Sequence, residues 1–269
     1  MSLLHHAVLP PTGAPSGRCI LVLHGILGSG SNLRGVAQAL IAHDPSAQCV
    51  LADLRMHGRS QGFAPPHTLD ACARDLAEVS RSLSTPITEV IGHSFGGKVA
   101  LAFARDRSEI TRVALLDSSP FLRASRVGSE QTLAVIDMLD RLPALFDTRA
   151  AFVQHVENQG FSRMIADWLA MNLDRTDQGF RFRLDLTAIR ALIEDYFAHD
   201  LWPIVEATKA RVDVVIGGRS EVWQAADIAR ANGLHAREPQ RVRVHVLADA
   251  GHWVHVDDAQ GLTAALTGA

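Results

Sequence analysis

Three residue types, far apart in the chain, could together attack a carbonyl. Ser94 sits in Gly92-His93-Ser94-Phe95-Gly96-Gly97, a Gly-x-Ser-x-Gly pattern directly behind the apolar run 87–91. A serine hydroxyl is a weak nucleophile until a base takes its proton and amide groups receive the oxyanion. A sharp turn from strand to helix would push the hydroxyl out of the sheet and aim the helix's free N–H groups at the same spot. Such a turn crowds backbone against backbone, which suits glycine at 92 and 96. The Phe95 amide, first in that helix, is the expected first oxyanion donor. The second is expected in the loop after His24-Gly25, at Ile26, with Leu27 as the near alternative.

The base is expected at His252, behind Gly251 and just past the last strand-like run, 242–247. Among the other histidines, His24 and His93 are expected to brace the oxyanion loops, and His255 to enter the last helix. Two acids compete. Asp117 directly follows the run 112–116 and is preferred. Glu221 lies in Gly218-Arg219-Ser220-Glu221, one residue beyond Ser220, which holds the place where an aspartate is usual. Asp249 and Asp257 are too close to His252 in sequence to reach the far side of its ring. The order serine, acid, histidine suits an acyl-transfer triad. The charged turn Asp53-Leu54-Arg55-Met56-His57-Gly58-Arg59-Ser60 reads as a loop held by its own hydrogen bonds.

Strand ends must bring these residues together. The runs 18–24, 48–53, 87–91, 112–117, 212–217 and 242–247 are strand-like and mostly continuous in apolar residues, as strands buried on both faces are. Residues 2–9 suit an edge strand. Helical patterns fall between them: 32–43, the Thr68-capped stretch with Leu69, Cys72, Leu76, Val79 and Leu83 at helical spacing, and 97–105, which is apolar almost all round. The alternation predicts an α/β fold with a mostly parallel central sheet flanked by helices, with ligands bound beyond the strands' carboxyl ends. The rhythm stops after Pro120. Residues 121–206 carry helical patterns near 129–142, 148–156, 161–173 and 187–199, and one alternating piece at 180–184. They are expected to form a helical lid, so that 1–120 and 207–269 make the core. Some of the lid's aromatics and methionines should line a substrate pocket.

The chain has 269 residues, 47% of them hydrophobic, and a net charge of −3. That supports one large core and, with no basic run, argues against nucleic acid as a partner. Cys19, Cys49 and Cys72 lack metal-ligand or C-x-x-C spacing and read as small core residues in a reducing compartment. There is no phosphate-loop glycine motif, no signal-peptide pattern and no apolar stretch of membrane-spanning length. A cytoplasmic enzyme with no cofactor or metal is expected, acting on a small molecule.

Four ordered motifs, His24-Gly25, Asp53-x-Arg55-x-His57-Gly58-x-Ser60, Gly92-His93-Ser94-Phe95-Gly96-Gly97 and Gly251-His252, together resemble the α/β-hydrolase superfamily. Within it, Gly96-Gly97-Lys98, Leu116-Asp117-Ser118-Ser119-Pro120, Phe180-Arg181-Phe182-Arg183 and Gly217-Gly218-Arg219-Ser220 resemble a subgroup of small bacterial esterases and their mitochondrial animal relatives. The resemblance implies an α/β-hydrolase fold with the lid inserted after the fold's sixth strand. It implies a triad acid after that strand, which corresponds to Asp117. It also implies carboxylester or thioester substrates and a carboxylesterase-type serine hydrolase without a cofactor. This chain differs from the wider family in an N-terminus shorter by about a strand. C–C bond hydrolysis or perhydrolysis could use the same residues, and a ligand sensor or scaffold could retain them unused.

Overall fold

The computed structural model describes residues 3–123, 126 and 129–268. The strands are β1 (His6–Leu9), β2 (Cys19–Leu23), β3 (Gln48–Ala52), β4 (Glu89–His93) and β5 (Arg112–Leu116), then β6 (Leu173–Thr176), β7 (Gly179–Phe182), β8 (Arg211–Gly217) and β9 (Val242–Leu247). Seven of them form one sheet in the order β1-β3-β2-β4-β5-β8-β9. Only β1 runs antiparallel, along the edge of β3. The other pairs are parallel, so their carboxyl ends share one edge.

The alternation of side chains across the pleat divides the core in two. Leu21, Leu23, Val90, Val113 and Leu115 face the larger cluster, and Ile20, Val22, Ile91, Ala114 and Leu116 the smaller. The smaller cluster is covered by α1 (Arg34–His43) and, at the far end of the chain, α11 (Ala259–Thr267). The larger is covered by α2 (Leu69–Ser82) and α3 (Phe95–Ala104). Thr68 caps α2 by accepting the Ala71 N–H at 3.1 Å. All ten residues of α3 are buried, as its all-round apolarity requires. The three cysteines are buried free thiols.

Between β5 and β8 the chain forms α4 (Glu130–Leu139), α5 (Arg149–Asn158), α6 (Arg163–Leu169) with a 3₁₀ turn at Ala170–Asn172, the β6–β7 hairpin, α7 (Leu186–Ala198) and α8 (Trp202–Ala207). The two chain passages into this segment meet: the Leu201 N–H donates to the Pro120 carbonyl at 2.8 Å. Two further helices, α9 (Ala225–Arg237) and the short α10 (Val254–Asp257), complete the core. The helical patterns of the sequence are found at nearly their expected places. Strand β6 is the exception, because Asp174, Arg175 and Thr176 carry no apolar alternation. Helix α8 has six residues, too few to show a period. Among the described residues no helix is long and apolar enough to cross a membrane.

Candidate active site

The turn after β4 has the expected form. Ser94 has φ 52° and ψ −119°, outside the regions favoured by side-chain-bearing residues, and α3 begins at the next residue. Its amide donates to the Leu116 carbonyl at 3.0 Å, and its carbonyl accepts the Ser118 hydroxyl at 2.6 Å. The flanking glycines are required by contact. A Cβ on Gly92 would lie 2.1 Å from the Gly96 carbonyl oxygen, and one on Gly96 would lie 2.5 Å from that of His24.

Three strand ends converge here. The Ser94 hydroxyl lies 3.0 Å from His252 Nε2. The opposite ring nitrogen, Nδ1, lies 2.6 Å from Asp117 Oδ2. With Nδ1–H donating to the carboxylate, Nε2 is left to accept the serine proton. His252 follows β9, and its carbonyl is held by His93 Nε2–H at 2.8 Å. Asp117 is fully buried and left-handed at φ 44°. Its Oδ1 accepts the Gly217 N–H at 3.1 Å, and its Oδ2 also accepts the Ser220 hydroxyl at 2.5 Å. These donors offset the cost of burying a carboxylate.

Glu221 is exposed, on the wall of a small hollow of about 240 Å³ that reaches Ser94 and His252. The ring's hydrogen bond goes to Asp117. Ser220, noticed in the sequence for not being an aspartate, has a place in the site as a donor to Asp117. Asp249 pairs with Arg219, and Asp257 accepts the Gly251 N–H at 2.8 Å.

The Ile26 and Phe95 amides meet no acceptor among the described residues, and Ile26 and Leu27 both border the cavity at Ser94. His24 braces this loop. Its Nε2 accepts the Leu54 N–H at 2.9 Å, so Nδ1–H is the donor to the Gly25 carbonyl at 2.7 Å. Burial lowers His24 to about 4 and, with His24 beside it, His57 to about 3. Burial, then the neighbouring His255 and His252, hold His93 well below the usual range. Burial and His252 bring His255 down to about 4. All four are neutral imidazoles at pH 7. His255 meets His93 edge to face, with ring centres 4.7 Å apart. The turn after β3 is held by its own carboxylate: Asp53 accepts the Gly30 and Arg59 amides at 2.7 and 2.8 Å.

A mostly apolar cavity of about 310 Å³ opens onto Ser94 between Leu27, Leu33, Val135, Ile165, Trp168 and Trp253. Met164 and Met171 stand at its wall, 50% and 44% exposed. Of the insertion's expected pocket residues, Met164, Trp168 and Met171 thus reach the cavity. Phe152 and Trp202 are fully packed in the core. No group of three or more histidine, cysteine or acidic side chains among the described residues could hold a metal ion.

One lysine entered the sequence reading only as part of the Gly96-Gly97-Lys98 resemblance, with no role of its own. Lys98, within the apolar α3, is fully buried, and its Nζ donates to the carbonyls of Phe121, Tyr196 and His199 at 2.8, 2.8 and 2.7 Å. Burial lowers it to about 7, with the Arg123 charge acting in the same direction. A single cation in an otherwise apolar helix was the available signal.

A parallel sheet with a serine on the strand-to-helix turn, and an acid and a histidine at neighbouring strand ends, defines an α/β-hydrolase architecture. The chain belongs to the alpha/beta hydrolase family, whose pattern matches residues 20–266. It is 26% identical over 246 residues to the sn-1-specific diacylglycerol lipase ABHD11 of Danio rerio, covering 88% of this chain and 74% of that protein. It is 26% identical over 251 residues to the esterase YbfF of Escherichia coli, covering 92% and 91% of the two chains. A marine microorganism esterase of known structure has the same fold, with a TM-score of 0.80, 21% identity and 97% of each chain covered.

Proposed function

We propose that this protein is a serine hydrolase that cleaves carboxylic esters through an acyl-enzyme. The observation that carries this reading is the chain Ser94–His252–Asp117, with links of 3.0 and 2.6 Å. Ser94 Oγ attacks the ester carbonyl carbon as its proton passes to His252 Nε2. Asp117 keeps the ring's tautomer and stabilises the imidazolium. The amides of Phe95 and Ile26 receive the oxyanion, each lowering the barrier by roughly 3–4 kcal/mol. His252 then returns the proton to the leaving alcohol oxygen. Water repeats the sequence on the acyl-enzyme, releasing the acid and restoring Ser94.

The apolar cavity suits an ester with an apolar chain, and residues 121–206 act as the lid above it. The relatives named as a diacylglycerol lipase and an esterase support the ester class. Three buried free thiols suit the reducing cytoplasm, where we place the protein.

The test is labelling with a fluorophosphonate, followed by hydrolysis of p-nitrophenyl esters of graded chain length and one acyl thioester. Wild type gains one adduct at Ser94, and Ser94→Ala loses both adduct and turnover. Asp117→Asn loses about 10⁴-fold in kcat, whereas Glu221→Gln keeps it. An unlabelled wild type refutes the reading, and a collapse confined to Glu221→Gln refutes the choice of acid.

A further inference from the structure

The loop that offers Ile26 is an i→i+3 turn. The Gly28 N–H donates to the Gly25 carbonyl at 3.1 Å, and Leu27, third in the turn, has φ 62°. That is the type II pattern, which favours glycine at this position. A leucine there is strained and needs support from outside the turn. The support comes from the insertion. Asn172, buried at the end of the 3₁₀ turn after α6, donates its side-chain Nδ2–H to the Leu27 carbonyl at 2.8 Å.

In a trans peptide the C=O and N–H point in opposite directions. The Leu27 C=O faces Asn172, so the N–H of the same peptide, that of Gly28, points the other way, to the Gly25 C=O. The Gly25 C=O is also tied by His24 Nδ1–H. The N–H of that next peptide belongs to Ile26, and it is turned away from both ties. Two peptide planes and two hydrogen bonds therefore join Asn172 to the Ile26 amide, and such chains polarise one another. Asn172 is itself fixed, since its backbone carbonyl accepts the Arg183 N–H at 2.9 Å. The segment just before it carries Met164, Ile165, Trp168 and Met171, which line the apolar cavity.

We infer that Asn172 is a positioning residue for the oxyanion donor Ile26, so that the segment lining the chain pocket also aligns the amide that receives the oxyanion. The inference rests on the ester-hydrolase reading. Asn172 touches no reacting atom, and its loss changes the transition state more than substrate binding.

The experiment compares wild type with Asn172→Asp, which keeps the shape but loses the donor, and with Asn172→Ala, which adds no charge. Reaction of Ser94 with a fluorophosphonate counts active sites, so kcat refers to folded enzyme alone. For both variants we expect kcat on p-nitrophenyl butyrate to fall roughly 10- to 100-fold while KM stays within about threefold. Affinity for a boronic acid, which forms a tetrahedral adduct on Ser94, should fall in step with kcat. A merely structural role would lower the count of active sites and leave kcat per site unchanged, which overturns the inference. A rise in KM with kcat unchanged also overturns it. If wild type itself is neither labelled nor inactivated by Ser94→Ala, the ester-hydrolase reading fails first, and the two failures are distinguishable.

Discussion

Replacing Lys98 with methionine isolates one of the links between the core and the inserted segment. The ammonium's three N–H groups meet three carbonyls, one from the start of the insertion and two from the end of α7 and just beyond it. Methionine fills much of the same volume and leaves those carbonyls without a donor in a buried place. Each unsatisfied carbonyl costs about 1–3 kcal/mol. The opposing effect is the relief of burying a charge, and that burial is severe enough to bring the lysine down to about 7. Relief of several kcal/mol offsets part of the loss, leaving a net destabilisation of about 2–4 kcal/mol. In a chain of this size that lowers Tm by roughly 4–16 °C. Thermal unfolding followed by circular dichroism measures it, and limited proteolysis identifies where the chain opens. Cleavage should appear first in residues 121–206. If Lys98→Met melts within about 1 °C of wild type, or first opens between β1 and β5, Lys98 is not the link that its geometry indicates.

Ser220→Ala removes one donor from Asp117 Oδ2 and should lower kcat about tenfold with little change in KM, as steady-state kinetics would register; an unchanged kcat would mean that the carboxylate does not depend on that hydroxyl. The pH dependence of stability follows from His24, His57, His93 and His255, all lowered from the usual 6.5 by burial. Between pH 6.5 and about 4 the unfolded chain binds protons that the folded one refuses, so stability is full above that window and falls as pH falls through it. The slope is at most about 1.4 kcal/mol per pH unit for each histidine, and a Tm that stays flat from pH 6.5 to 4.5 would contradict it.

The parts of the fold that repeat a simple period were legible in the sequence. Strands β2 and β5 are nearly continuous apolar runs, β4 and β8 keep an apolar centre, and the glycines at 92 and 96 report the crowding that their missing side chains avoid. The two candidate acids were harder to separate. Asp117 and Glu221 both follow strand ends, and their difference lies in reach and burial. Ser220 looked like a vacancy because its meaning depends on Asp117 lying one strand away. Asn172 and Lys98 left little trace. Their partners are backbone carbonyls, which every residue has, so no side-chain pattern marks the contact. The hairpin strand β6 was hidden for a related reason, since its four residues are mostly polar and pair through the main chain.

The seam at Pro120 and Leu201 has a mechanical consequence. Both chain passages into residues 121–206 are tied at one point, three residues after Asp117. Between that point and the acid, the Ser118 hydroxyl is bound to the Ser94 carbonyl, and the Ser119 hydroxyl to the buried Asp227. The seam shares this hold with Lys98, which grips Phe121, Tyr196 and His199, and with Asn172, which grips Leu27. Along the chain, a displacement of residues 121–206 would reach Asp117 only through Ser118 and Ser119, both of them held by these hydroxyl bonds. The turn that offers the Ile26 amide is tied to the insertion directly, through Asn172, and has no such buffer.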